Sequence, residues 1–176
     1  VVYTHPELAS VGLTEDEVGE GIEVVRRVNA ASGLYRGIEA SLASKPLWGF
    51  ALRANAMWIE GEVTASDGAS QPARRIPPLL GLAGLRWANE ELGLEVEFFI
   101  RWAAAQDRLN SGDEADLRIC EDPNSPGTLL SDCRGTPGWA TLNLRAGSSP
   151  TRWMRVNLSA ENLTDANYRQ HGSGID

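Results

Sequence analysis

The stretch "GLEVEFFIRWAAA" (93–105) sets the fold. Leu94, Val96, Phe98, Ile100 and Trp102 share one parity, while Glu95, Glu97 and Arg101 fall on the other. A period of two is the spacing of a β-strand, whose successive side chains point to opposite faces. Three further segments keep the same parity. In "GFALRANAMWIEGE" (49–62), Phe50, Leu52, Ala54, Ala56 and Trp58 oppose Arg53 and Asn55. In "ATLNLRAG" (140–147), Leu142 and Leu144 oppose Thr141, Asn143 and Arg145. In "MRVNLSAEN" (154–162), Met154, Val156, Leu158 and Ala160 oppose Arg155, Asn157, Ser159 and Glu161. Antiparallel strands are therefore predicted near 49–60, 93–105, 139–146 and 153–162. "LYRGIEASL" (34–42) and "LLGLAGLRWA" (79–88) repeat the pattern more weakly, their glycines loosening it, which brings the expected number of strands to about six.

The connections alternate too. "ASKPLW" (43–48), "ANEELG" (88–93) and "GSSPTR" (147–152) are short, whereas 61–77 and 106–138 are long and polar. Short turns at one end and long loops at the other are the rhythm of an outer-membrane β-barrel. Strands near ten residues suit a tilted crossing of the hydrocarbon layer. Trp48, Trp58, Trp87, Trp102, Trp139 and Trp153 all sit near expected strand ends, where interfacial aromatic girdles belong. A soluble antiparallel sandwich also alternates. Longer strands than the usual five or six residues, unusually long loops and ionised residues in mid-strand favour the barrel.

Net charge is −8, the wrong sign for a phosphate-binding surface, so no nucleic-acid partner is expected. The sequence has no eighteen-residue apolar run of the kind that crosses a membrane as a helix. Cys120 and Cys133 are the only cysteines and lie in one turn-rich loop. Their spacing predicts a loop disulfide worth about 3 kcal/mol by loop entropy, with two free thiols as the alternative. A pair without CxxC spacing does not make a zinc or dithiol redox site.

Residues 156–176, "VNLSAENLTDANYRQHGSGID", resemble the penultimate strand and following loop of TonB-dependent outer-membrane receptors, with their Glu-Asn-Leu-x-Asp-x-x-Tyr phrase at Glu161, Asn162, Leu163, Asp165 and Tyr168. "VNAASGLYRGIEASL" (28–42) and "ARRIPPLLGLAGLRW" (73–87) are similar to earlier phrases of the same family, in family order. The resemblance covers about residues 24–176. It implies an all-β, antiparallel transmembrane barrel fragment, since barrels of this class have about 22 strands. A closing strand, the plug, the TonB box and most of the barrel are then expected outside this sequence. It further implies a bacterial outer-membrane location, contact with outer-membrane lipid, and TonB and a plug domain as partners in the intact receptor. The implied activity is import of siderophores or other large nutrients, with no catalytic, cofactor-binding or metal residues. Arg53, Asn55, Glu95, Glu97, Arg101 and Arg145 would face the lumen, contacting the plug or lining the substrate route.

The opening "VVYTHPELASVGLTEDEV" (1–18) resembles the start of the dimerisation domain of flavin-dependent disulfide reductases such as dihydrolipoamide dehydrogenase. A short strand over 1–4 and a helical turn opened by a Thr14/Glu17 capping box are expected there, as a short strand/helix appendage to the barrel fragment. His5 matches a non-catalytic His-Pro-Glu phrase of that family, and no FAD-binding glycine motif or CxxxxC is present. No reductase activity is therefore transferred, and a recombinant or mis-joined frame accounts for residues 1–23 preceding a barrel segment at 24–176. His5 and His171, the two histidines, lack a nucleophile phrase nearby, so no triad is expected. Asp113, Glu114, Asp116, Glu121 and Asp122 form an acidic stretch that could draw a hard cation. Without EF-hand spacing it is expected to be a solvated charged loop.

Overall fold

The computed structural model describes residues 32–173. Those residues form one antiparallel sheet. Six long strands follow one another as a meander: β1 (Ser32–Ala43), β2 (Phe50–Thr64), β4 (Leu80–Asn89), β5 (Leu94–Ala103), β6 (Trp139–Thr151) and β7 (Met154–Ala160). A short β3 (Ser70–Pro72) folds back from the first long loop onto the far end of β2. The second long loop holds two one-turn helices, α1 (Ser111–Glu114) and α2 (Leu117–Cys120). Among the described residues no helix is long and apolar enough to cross a membrane, which says nothing of strands.

Each segment with unbroken parity is a strand, and the weaker two are strands as well. The short connections lie at one end of the sheet and the long loops at the other. Two turns differ from the expectation. The segment 147–152 is not a loop, because β6 continues to Thr151 and pairs through an irregularity at Ser148/Thr151, leaving Arg152 and Trp153 as the turn. Trp48 and Gly49 close the β1–β2 hairpin with φ of 52° and 84°, both left-handed, as a two-residue turn matched to strand twist requires.

Register carries one face continuously across the sheet. Leu52 pairs with Leu85, Leu85 with Phe98, Phe98 with Leu144 and Leu144 with Ala160. Ala54, Ala83, Ile100 and Leu142 form the next row. This apolar face is uncovered. Phe98 is 51% exposed, whereas Phe99, its neighbour on the polar face, is 2% exposed. The fully buried side chains of the sheet, Asn143 and Phe99, both lie on the polar face, where Thr141 is buried too. A sandwich buries its apolar face against a second layer; the arrangement here is the reverse, that of a barrel wall with hydrocarbon outside. The fold is all-β, an antiparallel barrel segment.

Aromatic residues bracket the apolar face. Trp58 and Trp102 stand at its loop end, while Trp87, Trp48 and Trp153 stand at its turn end. Trp87 pairs with Val96, and from Val96 to Trp102 the strand rises about 20 Å. Trp139 departs from the girdle expectation: it pairs with Ala103 on the polar face and stacks on Tyr168 at 4.3 Å. Its position at a strand end was legible, but its parity puts it inside.

Candidate functional site

Strand register gathers the charged residues of the polar face into rows. Arg53, Gly84, Phe99 and Asn143 make one row across β2, β4, β5 and β6. Arg86, Glu97, Arg145 and Ser159 make the next, and Glu95, Gly147 and Asn157 the one after. Asn55 lies one row toward the loops, with Leu82, Arg101 and Thr141. All six residues singled out in the sequence for the polar face lie there together.

The ion pairs run diagonally rather than along rows. Glu97 accepts hydrogen bonds from Arg53, two strands away, with Nη2 at 2.9 Å from Oε2. Gly84 makes this crossing possible: a Cβ there would lie 3.2 Å from Glu97 Oε1 and 3.0 Å from Phe99 Cβ. Glu95 accepts from both Arg86 and Arg155. It leans over Gly147, where a Cβ would come within 2.6 Å of its Oε1. The glycines that loosened the sequence pattern are the gaps through which long side chains meet. On the apolar face Gly81 has the same relation to Trp102, whose Cζ2 would lie 2.8 Å from an added Cβ. Arg145 and Arg101 have no carboxylate partner among the described residues. Their guanidinium groups lie over Phe99 and Trp139, at 4.6 and 6.0 Å from the ring centroids.

The long loops form a second assembly. Gln106 and Thr136 exchange backbone hydrogen bonds, and Gln106 Nε2 donates to the Ile76 carbonyl at 2.8 Å. Asp113 is completely buried and accepts from the Arg75 and Asn110 backbone amides. Asp116, also buried, accepts from Arg74, Arg75 and Arg118 at 3.2, 2.8 and 2.7 Å. The expectation of a solvated acidic loop is therefore corrected for these two residues, which are the anionic centre of an arginine cluster joining the two long loops. Glu114 is exposed; Glu121 accepts from the Gly127 amide, and Asp122 from the Asn124 amide. Among the described residues no three or more His, Cys, Asp or Glu side chains are grouped to hold a metal ion. Cys120 and Cys133 are joined as a disulfide, with Cα atoms 5.4 Å apart.

The segment after β7 is folded onto both assemblies. Asn162 sits at φ 53° and donates its amide to Asn143 Oδ1 at 3.0 Å, while its side chain closes a ring with both backbone groups of Ala166. The Leu163 amide donates to the Leu142 carbonyl, Asp165 is left-handed at φ 50°, and Glu161 is exposed. His171 Nδ1 lies 3.1 Å from Thr136 Oγ1, and its buried Nε2 has no partner. Burial holds the imidazole below its ordinary range, and the Asp113 carboxylate partly offsets this. His5 lies outside the described residues. The sequence placed Arg155 on the polar face without a partner and did not single out Arg86 or the bridging glycines, because these roles exist only once register aligns four strands.

The family model described as TonB dependent receptor-like, beta-barrel, matches residues 7–163. The chain belongs to this family. Among solved structures, the TonB-dependent receptor barrel here is similar to the protein titled "Copper transporter OprC", at 18% identity and a TM-score of 0.61. That match covers 79% of this chain and 19% of the other, so the receptor segment spans about a fifth of the transporter it resembles, and the likeness is one of fold. No curated protein matches. The reductase resemblance of residues 1–23 has no support: the family match already begins at residue 7, and those residues lie outside the described part of the structure.

Proposed function

We propose that this chain forms part of the wall of an outer-membrane receptor that, when whole, takes up a siderophore-like chelate or another large nutrient. One observation carries the reading: the apolar face of the sheet is exposed and ends in tryptophans, while the opposite face carries the ion pairs and the buried Phe99, Thr141 and Asn143. In this reading Arg53, Asn55, Glu95, Glu97, Arg101 and Arg145 face the lumen, where a plug domain docks, and TonB supplies energy to the complete receptor. The Glu161–Tyr168 turn locks the end of β7 to β6 through Asn143 and Trp139. No residue is assigned a catalytic role.

Spin labels at positions 98 and 99 of the chain in lipid vesicles test the orientation. The label at 98 should relax with lipid-soluble oxygen and be shielded from a water-soluble nickel chelate; the label at 99 should show the reverse preference. Equal accessibility at both sites would remove the barrel-wall reading. For cargo, TonB-dependent accumulation of labelled ferric siderophores by cells bearing the whole receptor is expected, and uptake unaffected by loss of TonB would overturn it.

A further inference from the structure

Beside β7 the polar face holds a cavity of about 330 Å³, bordered by Arg86, Glu95, Glu97, Arg145, Asn157 and Ser159. We propose that it is a binding subsite for a small soluble oxyanion, a carboxylate or phosphate, centred on Arg145. The inference rests on the polar face being the wetted one.

Charge balance is the first reason. Both glutamates are already committed within the sheet, Glu97 to Arg53 and Glu95 to Arg86 and Arg155. Of the arginines in this network only Arg86 and Arg145 line the cavity, beside both carboxylates; Arg53 and Arg155 neutralise those carboxylates from outside it, which leaves the Arg145 charge uncompensated. A cation finds no unneutralised carboxylate here. An anion finds the Arg145 guanidinium, which has no carboxylate partner among the described residues.

Geometry is the second. Glu97 is the direct cross-strand neighbour of Arg145, yet its carboxylate is turned across Gly84 to Arg53. That leaves the Arg145 guanidinium lying over the buried Phe99 ring, 4.6 Å from its centroid. A ring contact fixes the plane of the guanidinium but accepts none of its N–H groups, and among the described residues no protein acceptor takes them. A planar fork of donors held by an aromatic face is the arrangement that binds carboxylate or phosphate through two parallel hydrogen bonds. Gly147 keeps the cavity floor open, and Asn157 and Ser159 add neutral donors on the β7 side. Arg101, likewise without a carboxylate partner among the described residues and lying over Trp139 at a longer 6.0 Å, stands outside this cavity.

Calorimetric titration of the full chain in zwitterionic detergent, with inorganic phosphate and separately with citrate at low ionic strength, tests the subsite. Saturable binding is expected, weakening as sodium chloride is raised. Arg145→Gln should lower affinity about tenfold or more, since a charge-assisted bidentate pair is lost. Glu97→Gln should tighten binding several-fold by removing a negative charge from the rim, and Arg36→Gln, on the opposite face beside Glu60, should leave it unchanged. No saturable binding, or an Arg145→Gln variant that binds as well as the parent, overturns the proposal. A spin label at position 145 separates this from failure of the barrel-wall reading. Lipid-side accessibility there would sink both, whereas aqueous accessibility without anion binding would sink the subsite alone.

Discussion

The sheet and the loop assembly obey opposite burial rules. On the sheet Leu52, Phe98, Ile100 and Leu158 are exposed while Thr141 and Asn143 are buried. Among the loops Ile119, Cys120 and Ala73 are buried, around the Asp113–Asp116 arginine cluster. A side chain is placed according to the medium it meets. Water makes burial of Ile119 favourable by about 1.5–3 kcal/mol, whereas hydrocarbon imposes no such preference on Ile100 and instead penalises an unpaired polar group. One chain thus follows two burial rules, and Trp58 and Trp102 lie at the loop end of the apolar face, between the two regions.

The contrast can be broken most sharply with matched isoleucines. Ile119→Ala should cost about 2–5 kcal/mol of loop-assembly stability, the ordinary penalty for a cavity in a packed site. Ile100→Ala in lipid should cost far less, because acyl chains fill the space. Urea titrations of both variants in vesicles measure this; equal penalties would mean that the two regions share one medium. Charge reverses the ranking. Ile100→Arg should destabilise the lipid-embedded sheet by about 2–4 kcal/mol, and Leu130→Arg, on an exposed loop, should stay within about 0.5 kcal/mol.

Reduction of the Cys120–Cys133 bridge should weaken the loop assembly by about 3 kcal/mol while leaving hydrogen exchange in β4 and β5 unchanged. Loss of strand protection at the same time would show that the two regions unfold as one unit. Gly81→Ala sharpens the comparison from the sheet side. Its Cβ would collide with the Asn55 carbonyl and come within 2.8 Å of Trp102, so a loss of about 1–3 kcal/mol is expected, read by a lower urea midpoint.

The smallest effect concerns His171, which joins the tail to the loops through Thr136. Its folded pKa is lowered by burial, so the unfolded or undocked chain binds more protons on the acid side of about 6.5. Docking of the tail should therefore be flat above that pH and weaken as pH falls from 6.5 toward the lowered value. A pH titration of Tyr168–Trp139 contact by fluorescence checks it, and His171→Gln should remove the dependence. A tail that loosens on the alkaline side instead would contradict the burial of a neutral imidazole.

Parity alone placed the strands and told the two faces apart, because a strand sends alternate side chains to opposite sides whatever surrounds it. It also gave the short connections near 43–48 and 88–93, but not the last turn, because β6 continues to Thr151. The family phrases around Glu161 and Tyr168 pointed to the same barrel. Parity was silent on Phe99, an apolar residue on the polar face, and it gave Trp139 no inner partner. Both acquire a role from residues far away in the chain: Phe99 lies beneath Arg145, and Trp139 against Tyr168. Which glutamate pairs with which arginine was likewise undetermined, because Arg53 and Glu97 meet only across Gly84, two strands apart. The acidic loop became a buried Arg–Asp cluster for a related reason: Arg74 and Arg75 arrive from the other long loop, some forty residues away in the chain. Local periodicity is a property of neighbouring residues and survives in the sequence. Pairing of charges depends on register and loop docking, which are fixed only when the whole sheet has formed.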